Sequence, residues 1–130
     1  MMGMMNTCRF CLSNELLEDR PLFENNSYYV LGMREVERSH GAMVVLKRHA
    51  ETPFDINDRE WSEIGGPLAF AKEMLRPFNA SGYSVGWNVG DLAGQHVQHV
   101  HLHVICRFED DPAAGLGING LIGKVNGLIP

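Results

Sequence analysis

The sequence has no surplus of positive charge: 11 Lys and Arg stand against 16 Asp and Glu, a formal net charge of −5. That absence excludes the basic footprint of a protein that binds nucleic-acid polymers, because neutralising phosphates takes clustered cations. A single nucleotide, which needs only a few local donors, is still allowed. No apolar run approaches the ~20 residues of a membrane span, which predicts no membrane partner. The opening Met1-Met2-Gly3-Met4-Met5 is too short for a secretory leader and lacks its basic start. Only 3 cysteines are present, an odd number that argues against a disulfide framework and predicts a reducing, cytoplasmic setting. Repeats and low-complexity linkers are missing too. With 130 residues, 45% of them hydrophobic and 21% charged, the chain predicts a single globular domain over 1–130.

What the sequence does have is His99-Val100-His101-Leu102-His103-Val104-Ile105. A strand sends successive side chains to opposite faces, so the spacing predicts three imidazoles on one face, with Val100, Leu102 and Val104 turned into a core. Histidine changes charge near neutral pH. Three in register predict a metal site or a proton-handling, anion-binding nucleophile site. A purification tag would not alternate with Val and Leu inside a strand pattern. A metal held by all three is disfavoured by length. On a strand the first and third histidines, His99 and His103, lie about 13 Å apart at ~3.3 Å per residue, too far for zinc–nitrogen bonds of about 2 Å to converge.

The rest of the chain reads as α+β, an antiparallel sheet with one long helix on it. Residues 22–24 and 28–31 predict two short strands around the turn-forming Asn25-Asn26-Ser27. Residues 42–47 predict a third strand, and 83–88 and 97–107 two more. Asp55 or Asn57 can cap a helix over 58–76, with Trp61, Ile64, Leu68, Ala71 and Leu75 on one face. Gly65-Gly66-Pro67 interrupts that helix and predicts a kink or two segments. The glycine-rich tail, 109–130, reads as irregular, packing on a partner subunit. Cys106 falls on the apolar face of its strand and Trp87 reads as core. His40 and the mixed charges Arg34, Glu35, Glu37 and Arg38 read as solvated loop.

Gly94-Gln95-His96-Val97-Gln98 leads straight into the three histidines, with Ser84-Val85-Gly86-Trp87-Asn88-Val89-Gly90 before it. With these residues in place the chain resembles the histidine-triad (HIT) family of nucleotide hydrolases and transferases, weakly from Cys8 to about Phe108. The resemblance implies a HIT-like fold and a nucleotide substrate. The middle histidine, His101, is then the nucleophile that attacks the α-phosphate of a dinucleoside polyphosphate or nucleoside phosphoramidate and forms a covalent nucleotidyl-histidine. His103 is implied as a donor to phosphate oxygens, and Asn88 and the Gln95, His96 and Val97 stretch as the phosphate cradle. A homodimer through the long helix and the 83–88 strand is implied as well.

Cys8-Arg9-Phe10-Cys11 is a short N-terminal knuckle, and two thiols at this spacing can be half of a tetrahedral zinc site. His49 and His99 are candidates for the other half. Zinc-binding bacterial members of the resembled family imply the set Cys8, Cys11, His49 and His99. Four protein ligands leave no open position, so the zinc would be structural.

The sequence departs from the family in three places. His96 stands where a Ser or Thr commonly donates to the leaving group, and an imidazole there can act as a general acid, which adds His96 to His101 and His103 as a catalytic candidate. Met33-Arg34-Glu35 replaces the residue that commonly holds the ribose. His40-Gly41 stands where Gly-His is common, and Leu46 where a Pro is. The alternative to an enzyme is a non-catalytic nucleotide-binding or partner-binding module on the same fold.

Overall fold

A computed structural model describes residues 7–32, 40–112 and 114–118. The expected ribose contact at Met33-Arg34-Glu35, the charge run around it and the end of the tail lie outside the described residues. Five strands, β1 (Phe23–Glu24), β2 (Tyr28–Gly32), β3 (Gly41–Leu46), β4 (Gly82–Gly86) and β5 (His101–Arg107), form one antiparallel sheet in the order β1-β2-β3-β5-β4. Asn25 makes the β1–β2 turn. Its side-chain oxygen accepts the N–H groups of Ser27 and Tyr28 at 3.1 and 2.8 Å, as an Asx turn does.

The alternation seen in the sequence sorts the sheet into two faces. Tyr28 and Val30 of β2, Val44 and Leu46 of β3, and Leu102, Val104 and Cys106 of β5 pack with Val100, Ala71 and Leu75 into one apolar layer. Each fully buried aliphatic side chain there contributes about 1.5–3 kcal/mol relative to exposure. The opposite face carries Tyr29, Leu31 and Val45, covered by Phe10 and, less completely, Leu12 and Leu17 from the N-terminal segment. Val45 pairs with His101 and Met43 with His103 across β3 and β5, so the two imidazoles belong to this second face.

The helical region is two segments. Asn57 caps α1 (Asp58–Ser62) in a reciprocal box with Glu60, and α2 runs Gly65–Leu75. Pro67 has no N–H, so a continuous helix would leave the Glu63 carbonyl without its donor. The side-chain amide of Asn25 supplies one instead, at 2.9 Å. Pro67 then sits in the first turn of α2, where the missing N–H costs nothing. The break also resets the phase of the helix face. Ala71 and Leu75 reach the core with Ile64 and Leu68 beside them, whereas Trp61, expected on the same stripe, is 44% exposed and meets Trp87 edge-on at 5.8 Å. His40, expected to be solvated, is exposed but stacks flat on Phe78 with ring centroids 4.0 Å apart.

Candidate active site and metal centre

The knuckle closes through its own backbone. Cys11 N–H reaches the Cys8 carbonyl at 3.4 Å, the Asn14 side-chain amide donates to that carbonyl at 2.9 Å, and the Asn14 N–H donates to the Cys11 carbonyl at 3.0 Å. This turns both thiols toward the end of β3 and the segment before β5. His49 follows β3, and its Nδ1 lies 3.2 Å from Cys11 Sγ and 3.2 Å from His99 Nδ1. His99 Nδ1 lies 3.4 Å from Cys8 Sγ and 3.7 Å from Cys11 Sγ. All four donor atoms fall within 4.8 Å of one another. At zinc–sulfur and zinc–nitrogen lengths of about 2.3 and 2.0 Å, a tetrahedral ion needs its ligands about 3.3–3.8 Å apart. The set fits a metal of that kind. The second contact of His99 agrees. Its Nε2–H donates to the Leu46 carbonyl, which leaves Nδ1 as the lone-pair nitrogen facing the cluster.

His99 is not part of the strand, contrary to the even alternation expected. Its N–H bonds back to the Val97 carbonyl at 2.8 Å, a bend that precedes β5. The chain is pinned at Val100, which donates to the Ala50 carbonyl at 2.8 Å and accepts the Leu46 N–H at 3.2 Å. The bend separates one histidine for the sulfur cluster from two for the sheet face.

His101 and His103 lie edge-to-face with centroids 4.9 Å apart. His101 Nδ1 is 2.7 Å from the His99 carbonyl. A carbonyl can only accept, so Nδ1 carries the proton and Nε2 keeps its lone pair. Burial lowers the pKa of His101 below the ordinary histidine value, opposed by that carbonyl bond and aided by the charge of His96. Burial, then His101, lowers His103. In both residues burial favours the neutral imidazole. His103 Nδ1 is buried with no hydrogen-bond partner, the condition of a group that a ligand oxygen would satisfy.

Ahead of the bend, Gly90 and Gly94, both at positive φ (85° and 93°), bracket a single turn, Asp91–Ala93. Gln95 is 3% exposed and braces this loop: its oxygen accepts Gly90 N–H at 2.7 Å and its amide donates to Glu51 and Val97 carbonyls at 2.7 and 3.2 Å. Its side chain is occupied by the loop, which leaves backbone groups to face a ligand. Asn88 is exposed across from Gly94, where an added Cβ would meet its amide at 3.9 Å. His96 is exposed and, with Val97, Gln98, Thr7, Arg9 and Glu51, lines a groove of about 460 Å³ beside the Cys/His cluster.

Sequence reasoning missed two contributors. Phe10 is 2% exposed and packs edge-on against His101, centroids 5.1 Å apart, and against His99 at 6.1 Å. Its place between two cysteines was the available signal. Arg48 binds both carboxylate oxygens of Glu60 and the Asp55 carbonyl, fixing the corner that presents His49. The Asn57-x-x-Glu60 capping pattern was visible in the sequence; the Arg48 partner was not.

A family profile for the HIT domain matches residues 18–110. The chain belongs to the HIT family. A HIT-like protein of Methanocaldococcus jannaschii is 32% identical over 107 residues, covering 80% of this chain and 81% of the relative. An adenosine 5′-monophosphoramidase of Schizosaccharomyces pombe is 30% identical over 76 residues, 58% of this chain and 55% of that protein, so the match spans about half of that relative's length. A solved histidine triad nucleotide-binding protein from Candida albicans superposes with a TM-score of 0.67 at 22% identity over 94% of both chains. In this HIT protein both thiols of the knuckle precede the matched span, whereas His49 and all three triad histidines fall inside it.

Proposed function

We propose that this HIT protein is a nucleotide hydrolase that cleaves at the α-phosphate of a nucleoside phosphoramidate or dinucleoside polyphosphate. The observation that carries the reading is the 2.7 Å contact from His101 Nδ1 to the His99 carbonyl, which leaves Nε2 unprotonated as a nucleophile must be. The His101 Nε2–phosphorus bond forms as the bond from phosphorus to the leaving group breaks. His96 gives the leaving group its proton as general acid. His96, left neutral, takes a proton from the water that attacks the same phosphorus, the phosphorus–Nε2 bond breaks, the nucleoside monophosphate departs and the imidazole is regenerated. His103 donates to the non-bridging oxygens, and Asn88 with the backbone of the Gln95, His96 and Val97 stretch cradles them. The name of the Schizosaccharomyces pombe relative supports a phosphoramidate as the first substrate to try.

Cys8, Cys11, His49 and His99 would hold a zinc ion. With four protein ligands it would supply folding energy rather than chemistry. The protein acts as a homodimer in the cytoplasm. β4 is an edge strand, and Val85 and Tyr83 on it and Trp61 on α1 expose 54%, 39% and 44% of their surface, the kind of face a second copy covers. Among the described residues no helix is long and apolar enough to cross a membrane.

The test is a quench in base during turnover of adenosine 5′-phosphoramidate, followed by intact mass and peptide mapping. An adenylyl adduct on His101 that vanishes in His101→Ala is expected. An adduct that survives the substitution refutes the assignment. Tight nucleotide binding without adduct or turnover would assign the protein as a binding module instead.

A further inference from the structure

Two of the segments that carry the Cys/His cluster also grip His101. Phe10 lies between Cys8 and Cys11, so any ion held by those thiols fixes the residue between them. Phe10 is 2% exposed, and its ring meets the His101 ring at 72° with centroids 5.1 Å apart. The Phe10 carbonyl accepts the Tyr29 hydroxyl at 2.7 Å, and Tyr29 is wholly buried on β2, paired with Val45, which pairs in turn with His101. The knuckle is therefore pegged to the same part of the sheet that holds the imidazole. The second grip is the His99 carbonyl, which accepts the Nδ1 proton of His101 while the His99 ring offers its Nδ1 to the cluster. One grip fixes the ring plane and the other fixes which nitrogen is protonated. Neither belongs to the ligand-facing loop. His103 closes the far side edge-on at 67°.

We infer that the metal knuckle is a positioning device for the reaction at His101, with Phe10 as the positioning residue. The inference rests on the proposed role of His101 but makes a prediction that needs no substrate. The physical reason is that an attacking nitrogen must hold its line to phosphorus, and small misplacements of a reacting group are costly in rate. A buried imidazole with one hydrogen bond still rotates about its ring torsions, which are broad. A rigid aromatic edge removes that freedom, and a metal-clamped turn keeps the edge in place. Loss of the ion would release both grips together.

Protein labelled with ¹⁵N-histidine and reconstituted with zinc would be compared with its Phe10→Leu variant and with unmodified protein after chelation, using long-range ¹⁵N–¹H spectra at fixed pH. In the zinc-loaded native protein His101 should give one signal set with the proton on Nδ1. Phe10→Leu, which keeps the apolar volume, should retain zinc but broaden or split the His101 signals. It should also slow first-turnover adduct formation on the order of tenfold with KM changed by less than about twofold. Chelation of the native protein, which needs no variant, should disturb the same signals. His101 signals and first-turnover rate unchanged in a zinc-retaining Phe10→Leu protein would overturn the role of Phe10, and His101 signals indifferent to chelation would overturn the metal link. If the spectra respond but no nucleotide is hydrolysed, the positioning stands and the hydrolase reading fails. If hydrolysis proceeds and the spectra do not respond, the reverse holds.

Discussion

Arg48 lays Nε and Nη2 against the two carboxylate oxygens of Glu60, each at 2.9 Å, and so ties the residue before His49 to the first turn of α1. Glu60 is 6% exposed. Its carboxyl is held below the ordinary glutamate value by the Arg48 hydrogen bonds first and by the Asn57 N–H besides, against the opposing effect of burial. A depressed carboxyl stabilises the fold above its unfolded value of about 4.3 and loses that contribution as pH falls through its folded value. Glu60→Gln should therefore cost about 2 kcal/mol at pH 7, on the order of 8 °C in Tm for a domain of this size. The gap between native protein and variant should close as the pH drops below about 4. Thermal melts from pH 7 to 3 check this. A gap independent of pH would mean that the pair contributes nothing as an ion pair.

His96 has a separable signature. A general acid matters most when the departing group is a poor one, since its proton is then needed in the transition state. His96→Ala should slow release of a basic amine about 100-fold, while an acidic phenol leaves within about threefold of the native rate. His96→Thr, which restores a hydroxyl donor, should recover part of the loss. Equal slowing of both leaving groups would move His96 from proton transfer to binding.

For the Cys/His cluster the expectation is one zinc per chain in protein purified without chelator. Cys8→Ser should lose the metal and lower Tm by on the order of 10 °C, because an ion bound only to the folded state stabilises it by mass action. Elemental analysis beside calorimetry reads both numbers. Metal-free native protein with an unchanged melt would exclude a structural site.

The parts of this fold that were legible in the sequence are those written in local periodicity. Val100, Leu102 and Val104 alternate, so the strand and its buried face followed from spacing alone. The cap at Asn57 and the break at Gly65-Gly66-Pro67 followed from residues whose backbone chemistry is narrow. What could not be read is what depends on segments distant in sequence. The bend that takes His99 out of β5 is fixed by bonds from Val100 to Leu46 and Ala50, and nothing within 97–101 announces it. Trp61 fell outside the core because a helix break discards phase, and the sequence says where a break falls but not the angle across it. Only the fold places Arg48 against Glu60. The role of Phe10 likewise comes from the fold, which lays its ring against His101 of β5.

The last expectation concerns a second copy of the chain. Among the described residues β4 ends the sheet with an unpaired edge, and its Val85 and Tyr83 side chains stand on the same side as α2 yet remain open. Trp87, the residue after β4, meets Trp61 of α1 edge-on and leaves Trp61 44% exposed. An exposed edge beside aromatic surface invites pairing with another strand, and closed two-fold pairing is the commonest way to satisfy it. Light scattering at micromolar concentration should give about 29 kDa, twice the 14.5 kDa chain. Val85→Lys puts a charge on the edge and should shift the protein to 14.5 kDa without lowering its zinc content. A native protein that stays at the mass of one chain at every concentration rules the dimer out, and a Val85→Lys protein that still scatters as two chains moves the interface off β4.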